Sequence, residues 1–261
     1  MDRITAAAEY LFEMRVTKRQ VATLPDDVVP RSLAEGYSVQ ELLDRKLLER
    51  GGGKPIGYKI ACTNELAQQA LCVDAPFFGV LMSHTTHRSG VALPSMDFVV
   101  RCAEVEFGFQ MAENVPAGRT YTAETIKPFI GSVIPSIEIV DHRYHSWKTV
   151  GTPSLLADNA IHGCWVEGEP VTNWQSIDFA KHATVLIVNG EKTFPGSGAA
   201  VLGNPLNVVA WLANELPKFG RRLSRGDKIT TGLTTDVYLA NPGDHLAADF
   251  GALGRVEMTF A

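Results

Sequence analysis

Arg101-Cys102-Ala103-Glu104-Val105-Glu106-Phe107-Gly108-Phe109-Gln110-Met111 alternates strictly. Ala103, Val105, Phe107, Phe109 and Met111 point one way; Glu104, Glu106, Gly108 and Gln110 point the other. A period of two marks a half-buried strand. Glutamates at i and i+2 on one strand face stand roughly 6.5–7 Å apart at the backbone, so their side chains can converge. Like charges that close repel unless a shared proton or a cation lies between them. A hard divalent ion such as Mg²⁺ or Mn²⁺ suits carboxylate oxygens and water. The plain alternative is a solvated outer face. Glu is a poor strand former, which weighs against that alternative. Glu138, between Ile137 and Ile139, is the third candidate, because a buried charge needs a partner.

The bounds of the chain are ordinary for a globular protein. Its 261 residues suffice for one large domain or a domain with a small cap, and 45% are hydrophobic. A net charge of −5 argues against a nucleic-acid surface. No apolar run approaches the roughly 18–20 residues that span a bilayer. Met1-Asp2-Arg3-Ile4-Thr5 lacks the apolar core of a signal peptide, so a cytoplasmic place is expected. Cys62, Cys72, Cys102 and Cys164 have no metal-finger spacing and read as buried, inert thiols.

Residues 4 to about 50 read as helical, broken at Leu24-Pro25-Asp26-Asp27. Ser32-Leu33-Ala34-Glu35 and Ser38-Val39-Gln40-Glu41 both have the capping-box form, so the second helix starts at one of them. Gly51-Gly52-Gly53 ends it and marks the boundary between a helical cap, residues 1–53, and a catalytic unit, residues 54–261. Pro55 to Cys62 is a short strand, and Thr63 is placed to cap the helix after it. Lys59, between Tyr58 and Ile60, is an edge gatekeeper or a functional amine facing a cavity. His84 and His87 fall in a polar loop where solvent exposure is the expectation. His142 to Lys148 has the composition of a specificity loop or an ordinary exposed one. Asp158-Asn159 suits a turn or cap. Ala183–Val188, Asn189-Gly190 and Glu191–Phe194 read as a hairpin. Gly196-Ser197-Gly198 lacks the third glycine of a dinucleotide loop. Asn204 with Pro205 opens a helix that Gly220 stops. Three strands close the chain, at Lys228–Gly232, His245–Phe250 and Arg255–Phe260. The pattern is α+β and mainly antiparallel, with helical additions.

An ordered set of motifs then carries a resemblance. Gly57-Tyr58-Lys59-Ile60 is followed by Glu104-Val105-Glu106, then Glu138, then Leu156-Ala157-Asp158-Asn159-Ala160. Gly198 to Pro205, Trp211 to Asn214, Thr231-Gly232, Pro242-Gly243-Asp244, Ala248-Asp249-Phe250 and Leu253 to Val256 complete it. From about residue 30 onward the chain resembles the fumarylacetoacetate hydrolase superfamily, in the branch of 2-keto-4-pentenoate hydratases and 4-oxalocrotonate decarboxylases. The resemblance implies a mixed β-roll with the helical cap, a Mg²⁺ or Mn²⁺ site and a homo-oligomer. It also implies 2-hydroxydienoic or 2-oxo acid substrates from aromatic meta-cleavage catabolism. Residue by residue, it makes Glu104, Glu106 and Glu138 the metal ligands and Lys59 the catalytic amine, with a pKa lowered by cation and burial. Asp158, Asn159, Phe77, Ile161 and Thr231 become substrate-binding positions. The chemistry implied is water addition through a metal-stabilised enolate.

Three positions depart from the branch pattern. Phe77 stands where an acidic residue is common, Ile161 where serine is common and Asn204 where histidine is usual. These losses keep a decarboxylase or an acylpyruvate C–C hydrolase open beside the hydratase. A ligand-binding relative without catalysis is the third reading. His162 is either structural or a substitute proton carrier.

Overall fold

The computed structural model of the chain describes residues 2–261; Met1, with which the N-terminal reading begins, lies outside them. The first elements in chain order are α1 (Arg3–Thr17), α2 (Leu33–Gly51), β1 (Pro55–Ala61), α3 (Glu65–Leu71) and β2 (Phe77–Met82). Next come β3 (Thr86–Arg88), β4 (Val91–Leu93), β5 (Cys102–Met111), α4 (Ala123–Ile126), β6 (Ile130–Val140), α5 (Thr152–Ala157) and β7 (His162–Glu167). The chain continues through β8 (Ala183–Val188), β9 (Lys192–Ser197), α6 (Pro205–Glu215), β10 (Lys228–Leu233), β11 (Tyr238–Leu239), β12 (His245–Asp249) and β13 (Arg255–Phe260).

The strands form two sheets. The larger runs β2-β1-β10-β5-β6-β7-β3, with β11 on β5, and the smaller runs β4-β13-β12-β8-β9. Among the named strands of the described residues, the pairs β1/β10, β3/β7 and β4/β13 are parallel and the rest antiparallel. Val105, Phe107 and Phe109 join Leu186, Leu246, Val256, Met258 and Phe260 in one buried core. Alternation along β5 therefore leaves Glu104 and Glu106 on the opposite face of the larger sheet. That face is strongly concave. Lys228 on β10 pairs with Glu167 on β7, although β5 and β6 lie between their strands.

The helical segment is organised by its caps. Asp2 accepts from Thr5 N to start α1, and Ser32, not Ser38, starts α2 by accepting from Glu35 N. Gly52 ends α2 in the left-handed conformation, with φ of 65°. Ala7, Leu11, Met14, Val39 and Leu43 share a second core with Phe77, Tyr144, Leu155, Leu156 and Ala160. The helices thus pack on α5 and on the residues that follow it.

Several local expectations are corrected. Asn64 caps α3, its side chain accepting from Ala67 N, because Thr63 is buried at the close approach of Gly232. Cys72 is exposed and Cys62 and Cys102 only half-buried, so of the four thiols Cys164 alone fits the buried description. His84 and His87 are half-buried, with His87 on β3. His142, Arg143 and Tyr144 are buried, not a solvent loop; Arg143 pairs with Asp141, and Tyr144 Oη donates to Ser154 O at 2.8 Å. The hairpin holds, with Asn189 and Gly190 at φ of 54° and 75°, the turn that matches strand twist.

Candidate metal centre

The ladder between β5 and β6 sets Glu104 directly opposite Glu138 and Glu106 opposite Ser136. Directly paired residues share a face, so the three glutamates lie on one concave surface. Each offers a carboxylate oxygen, and these oxygens lie within 4.8 Å of one another. Lys59 reaches the same point from β1. Its strand pairs with β10 at Thr230, which pairs in turn with Gly108 of β5. The Lys59 ammonium stands 3.1 Å from Glu138 Oε1, and His162 Nδ1 lies 2.8 Å from the same oxygen.

Hydrogen bonding leaves particular atoms open. Glu138 Oε1 has two partners, but Oε2 is buried with none. Glu106 Oε2 accepts from Gly232 N at 2.7 Å, and Glu106 Oε1 is buried with none. Gly232 has a φ of +100°, and a Cβ there would strike Thr63, so glycine is required to aim that amide. Burial of unpartnered carboxylate oxygens is costly. All the donors are hard oxygens, some lack partners, and like charges crowd them. The set fits a divalent ion such as Mg²⁺ or Ca²⁺.

The protonation pattern follows from the crowding. Burial first, and then the Glu138 and Glu104 charges, push the Glu106 carboxyl well above its ordinary range. Burial raises Glu104 to about 7, against the lowering effect of Lys59. Burial acts to raise Glu138 too, but the Lys59 ammonium and the His162 hydrogen bond win and hold it at about 2. For Lys59, burial favours the neutral amine, yet Glu138, Glu104 and Glu106 outweigh it and raise its pKa. The chain's own side chains therefore favour Lys59 as an ammonium, while the lowering expected from a nearby cation belongs to the ion-loaded site.

The other expected positions are placed as follows. Asp158 Oδ1 accepts from Arg15 Nε at 2.5 Å and Oδ2 from Arg143 N at 3.1 Å. Asn159 bonds Val80 twice, Oδ1 accepting from its N–H at 2.7 Å and Nδ2 donating to its carbonyl at 3.0 Å. Both side chains are thus committed to the protein. Phe77 pairs with Ala61, two residues along from the Lys59–Gly79 pair, and packs into the helical core with Ile161 beside it. Thr231 donates its hydroxyl to Phe107 O at 2.8 Å. Its neighbour Thr230 instead shares the face of Lys59, with a buried, unpartnered hydroxyl. Trp165, opposite Glu138 on β7, is fully buried with its Nε1 unpartnered. Neither was singled out from the sequence. The signal available was register alone: Thr230 sits two residues after Lys228 on the same face.

Asn159, Ala160 and Ile161 all adopt left-handed backbone, at φ of 49°, 49° and 57°. This conformation costs about 1–2 kcal/mol for an L-residue such as Ala or Ile. Gly79 allows the turn to sit against β2, since a Cβ there would lie 2.6 Å from Asn159 O.

Comparison with known proteins agrees with this geometry. The sequence model of the Fumarylacetoacetate (FAA) hydrolase C-terminal family matches residues 61–261. A 2-keto-4-pentenoate hydratase of Burkholderia vietnamiensis is 30% identical, with 99% of this chain and 98% of that protein covered. A 2-hydroxyhexa-2,4-dienoate hydratase of Comamonas testosteroni is 31% identical, with coverage of 98% and 97%. The structure of 4-oxalocrotonate decarboxylase from Pseudomonas putida G7, complexed with magnesium and adipate, matches with a TM-score of 0.91. That protein is 27% identical, and the match covers 99% of this chain and 97% of the other. Motif order, sheet topology and full-length similarity thus give one answer: this chain belongs to the fumarylacetoacetate hydrolase family.

Proposed function

We propose that the chain is a divalent-metal-dependent lyase that hydrates 2-hydroxydienoic or 2-oxo acids of aromatic meta-cleavage catabolism. The observation that carries this reading is the meeting of Glu104, Glu106 and Glu138 beside the Lys59 ammonium. The three carboxylates would hold Mg²⁺ or Mn²⁺. Bound there, such an ion supplies Lewis acidity toward the carboxylate and 2-oxygen of the substrate and charge for the enolate.

The remaining roles belong to side chains of this chain. Lys59 presents positive charge to the substrate's carboxylate or 2-oxygen, held in place by Glu138. His162 fixes Glu138 through Oε1 and so keeps Oε2 free. The Thr230 hydroxyl and Trp165 Nε1 are buried polar groups on the same face, suited to orient water or the substrate's distal end. Phe77 and Ile161 supply apolar walls where the branch pattern has polar groups. The 1–53 segment is read as a helical cap on a β-roll catalytic unit of residues 54–261, supported by the shared core of α1, α2 and α5. A homo-oligomer in the cytoplasm completes the proposal.

A decarboxylase is the second reading, favoured by the apolar Phe77 and Ile161 and by the similarity to the 4-oxalocrotonate decarboxylase structure. One experiment separates the readings. The purified chain with Mg²⁺ is given 2-hydroxypenta-2,4-dienoate and 2-hydroxymuconate-type acids while diene absorbance and CO₂ are followed. Loss of the diene without CO₂ supports the hydratase, and CO₂ release supports the decarboxylase. Tight binding of these acids without turnover would identify a non-catalytic ligand-binding protein.

A further inference from the structure

We propose that Arg15, on α1 and outside the carboxylate cluster, is a positioning residue that holds the left-handed turn at 159–161 and through it the metal ligand Glu138. The inference rests on the metal reading above. Arg15 Nε donates to Asp158 Oδ1 at 2.5 Å, a terminal nitrogen donates to Asp158 O at 2.7 Å, and the other donates to His162 O at 3.0 Å. One guanidinium thus spans the turn, gripping the carbonyl before it and the carbonyl after it. The planar fork of arginine makes three directed bonds that lysine cannot reproduce.

The turn has reason to need gripping. Three consecutive residues without glycine hold positive φ, one of them β-branched. Its internal bond, Ile161 N to Asp158 O at 2.9 Å, closes on the same carbonyl that Arg15 holds. Two outputs leave it. His162, the residue after the turn, meets Glu138 Oε1 at 2.8 Å. Asn159, its first residue, clamps Val80 on β2, beside Gly79, which pairs with Lys59. Release of the fork would let the turn relax toward ordinary backbone and carry the His162 ring off Glu138.

The test uses the full-length chain with Arg15→Met, which keeps length but removes charge and donors, and Arg15→Lys. Circular dichroism checks the fold, calorimetry gives Mn²⁺ affinity, and dienoate turnover gives kcat and KM. Outer partners of metal ligands are worth about 10–100-fold in affinity or activity. The expected result is a folded Arg15→Met with Mn²⁺ affinity and kcat down by about tenfold or more, and KM changed less. Arg15→Lys should recover part of this loss. Combining Arg15→Met with His162→Ala should weaken Mn²⁺ binding no further than the worse single change, because both act through Glu138.

Full Mn²⁺ affinity and kcat in a folded Arg15→Met chain, or additive losses in the double variant, would overturn the proposal. Should Arg15→Met fail to fold, Arg15→Met combined with Asp158→Asn, which leaves no buried unpaired charge, takes its place with the same criteria. A wild-type chain that binds no divalent ion contradicts the metal reading instead. The clamp is then judged by hydrogen exchange at the Ile161 amide, where faster exchange in Arg15→Met upholds it and unchanged exchange overturns it.

Discussion

Glu106→Gln separates the cost of crowding three carboxylates from the benefit of a cation between them. Glu106 is fully buried, and its carboxyl is raised well above the ordinary range by burial and by Glu138 and Glu104. Burial and the neighbouring carboxylates favour its protonated form, which glutamine mimics. The amide oxygen can still accept from Gly232 N, the bond Glu106 makes at 2.7 Å. Stability without metal should therefore change by less than about 1 kcal/mol near pH 4, where the unfolded carboxyl also holds its proton. The sign at higher pH is fixed by the raised value. Stability associated with the protonated acid is lost as pH climbs above the ordinary value of 4.5, and glutamine is exempt, so without metal the variant should already be the more stable chain by pH 7. With a divalent ion at a hundred times its Kd, the wild type gains about 2.7 kcal/mol. For 261 residues that corresponds to roughly 5–10 °C in Tm. Losing one ligand at roughly 4 kcal/mol weakens binding about a thousandfold, leaving a gain under about 0.1 kcal/mol. Differential scanning fluorimetry with and without Mg²⁺ reads both arms, and turnover should vanish in the variant. An Mg²⁺-induced rise in Tm that survives in Glu106→Gln would refute the reasoning.

Three further outcomes follow from the same site and its surroundings. Lys59→Met should lower kcat by about a hundredfold while metal binding is equal or tighter, since a cation 3.1 Å from Glu138 is removed; calorimetry and steady-state kinetics check the two signs. Metal affinity should fall by about tenfold per pH unit for each proton displaced as pH drops below 7, because Glu104 is raised to about 7 and Glu106 well above it. Titrations in buffers of different ionisation heat would count those protons, and a pH-independent affinity contradicts the shifts. Asp44 on α2 is buried and pushed up to about 8, by burial first, so native stability tied to its protonated form is lost as pH rises from about 4 to about 8. Asp44→Asn should gain on the wild type through that window by up to about 1.4 kcal/mol per pH unit, read from urea unfolding at each pH.

What the sequence made legible was local or strictly periodic. The alternation of 101–111 set β5 and the shared face of Glu104 and Glu106, because a strand has only two faces. Asn204-Pro205 and Asn189-Gly190 announced their cap and turn through chemistry confined to a few residues, and Ser32 was one of two caps that the sequence offered for α2. The β7 strand was hidden. The turn before it places Ala160 and Ile161 in left-handed backbone, which no local preference signals, and tertiary bonds from Arg15 hold it. That contact spans 143 residues of chain, beyond any local pattern. The buried His142-Arg143-Tyr144 read as a specificity loop or an ordinary exposed one for a related reason: the partners Asp158 and Ser154 are brought to them by the fold. Sheet curvature, which brings Lys228 to Glu167 across two strands, left no periodic trace.

Anomalous diffraction from a crystal soaked in Mn²⁺ tests directly whether one ion is held by the three carboxylates next to the Lys59 ammonium. A single strong peak within about 2.5 Å of oxygens from Glu104, Glu106 and Glu138 is the predicted result. A peak bound elsewhere, or none at this cluster at saturating Mn²⁺, would contradict it.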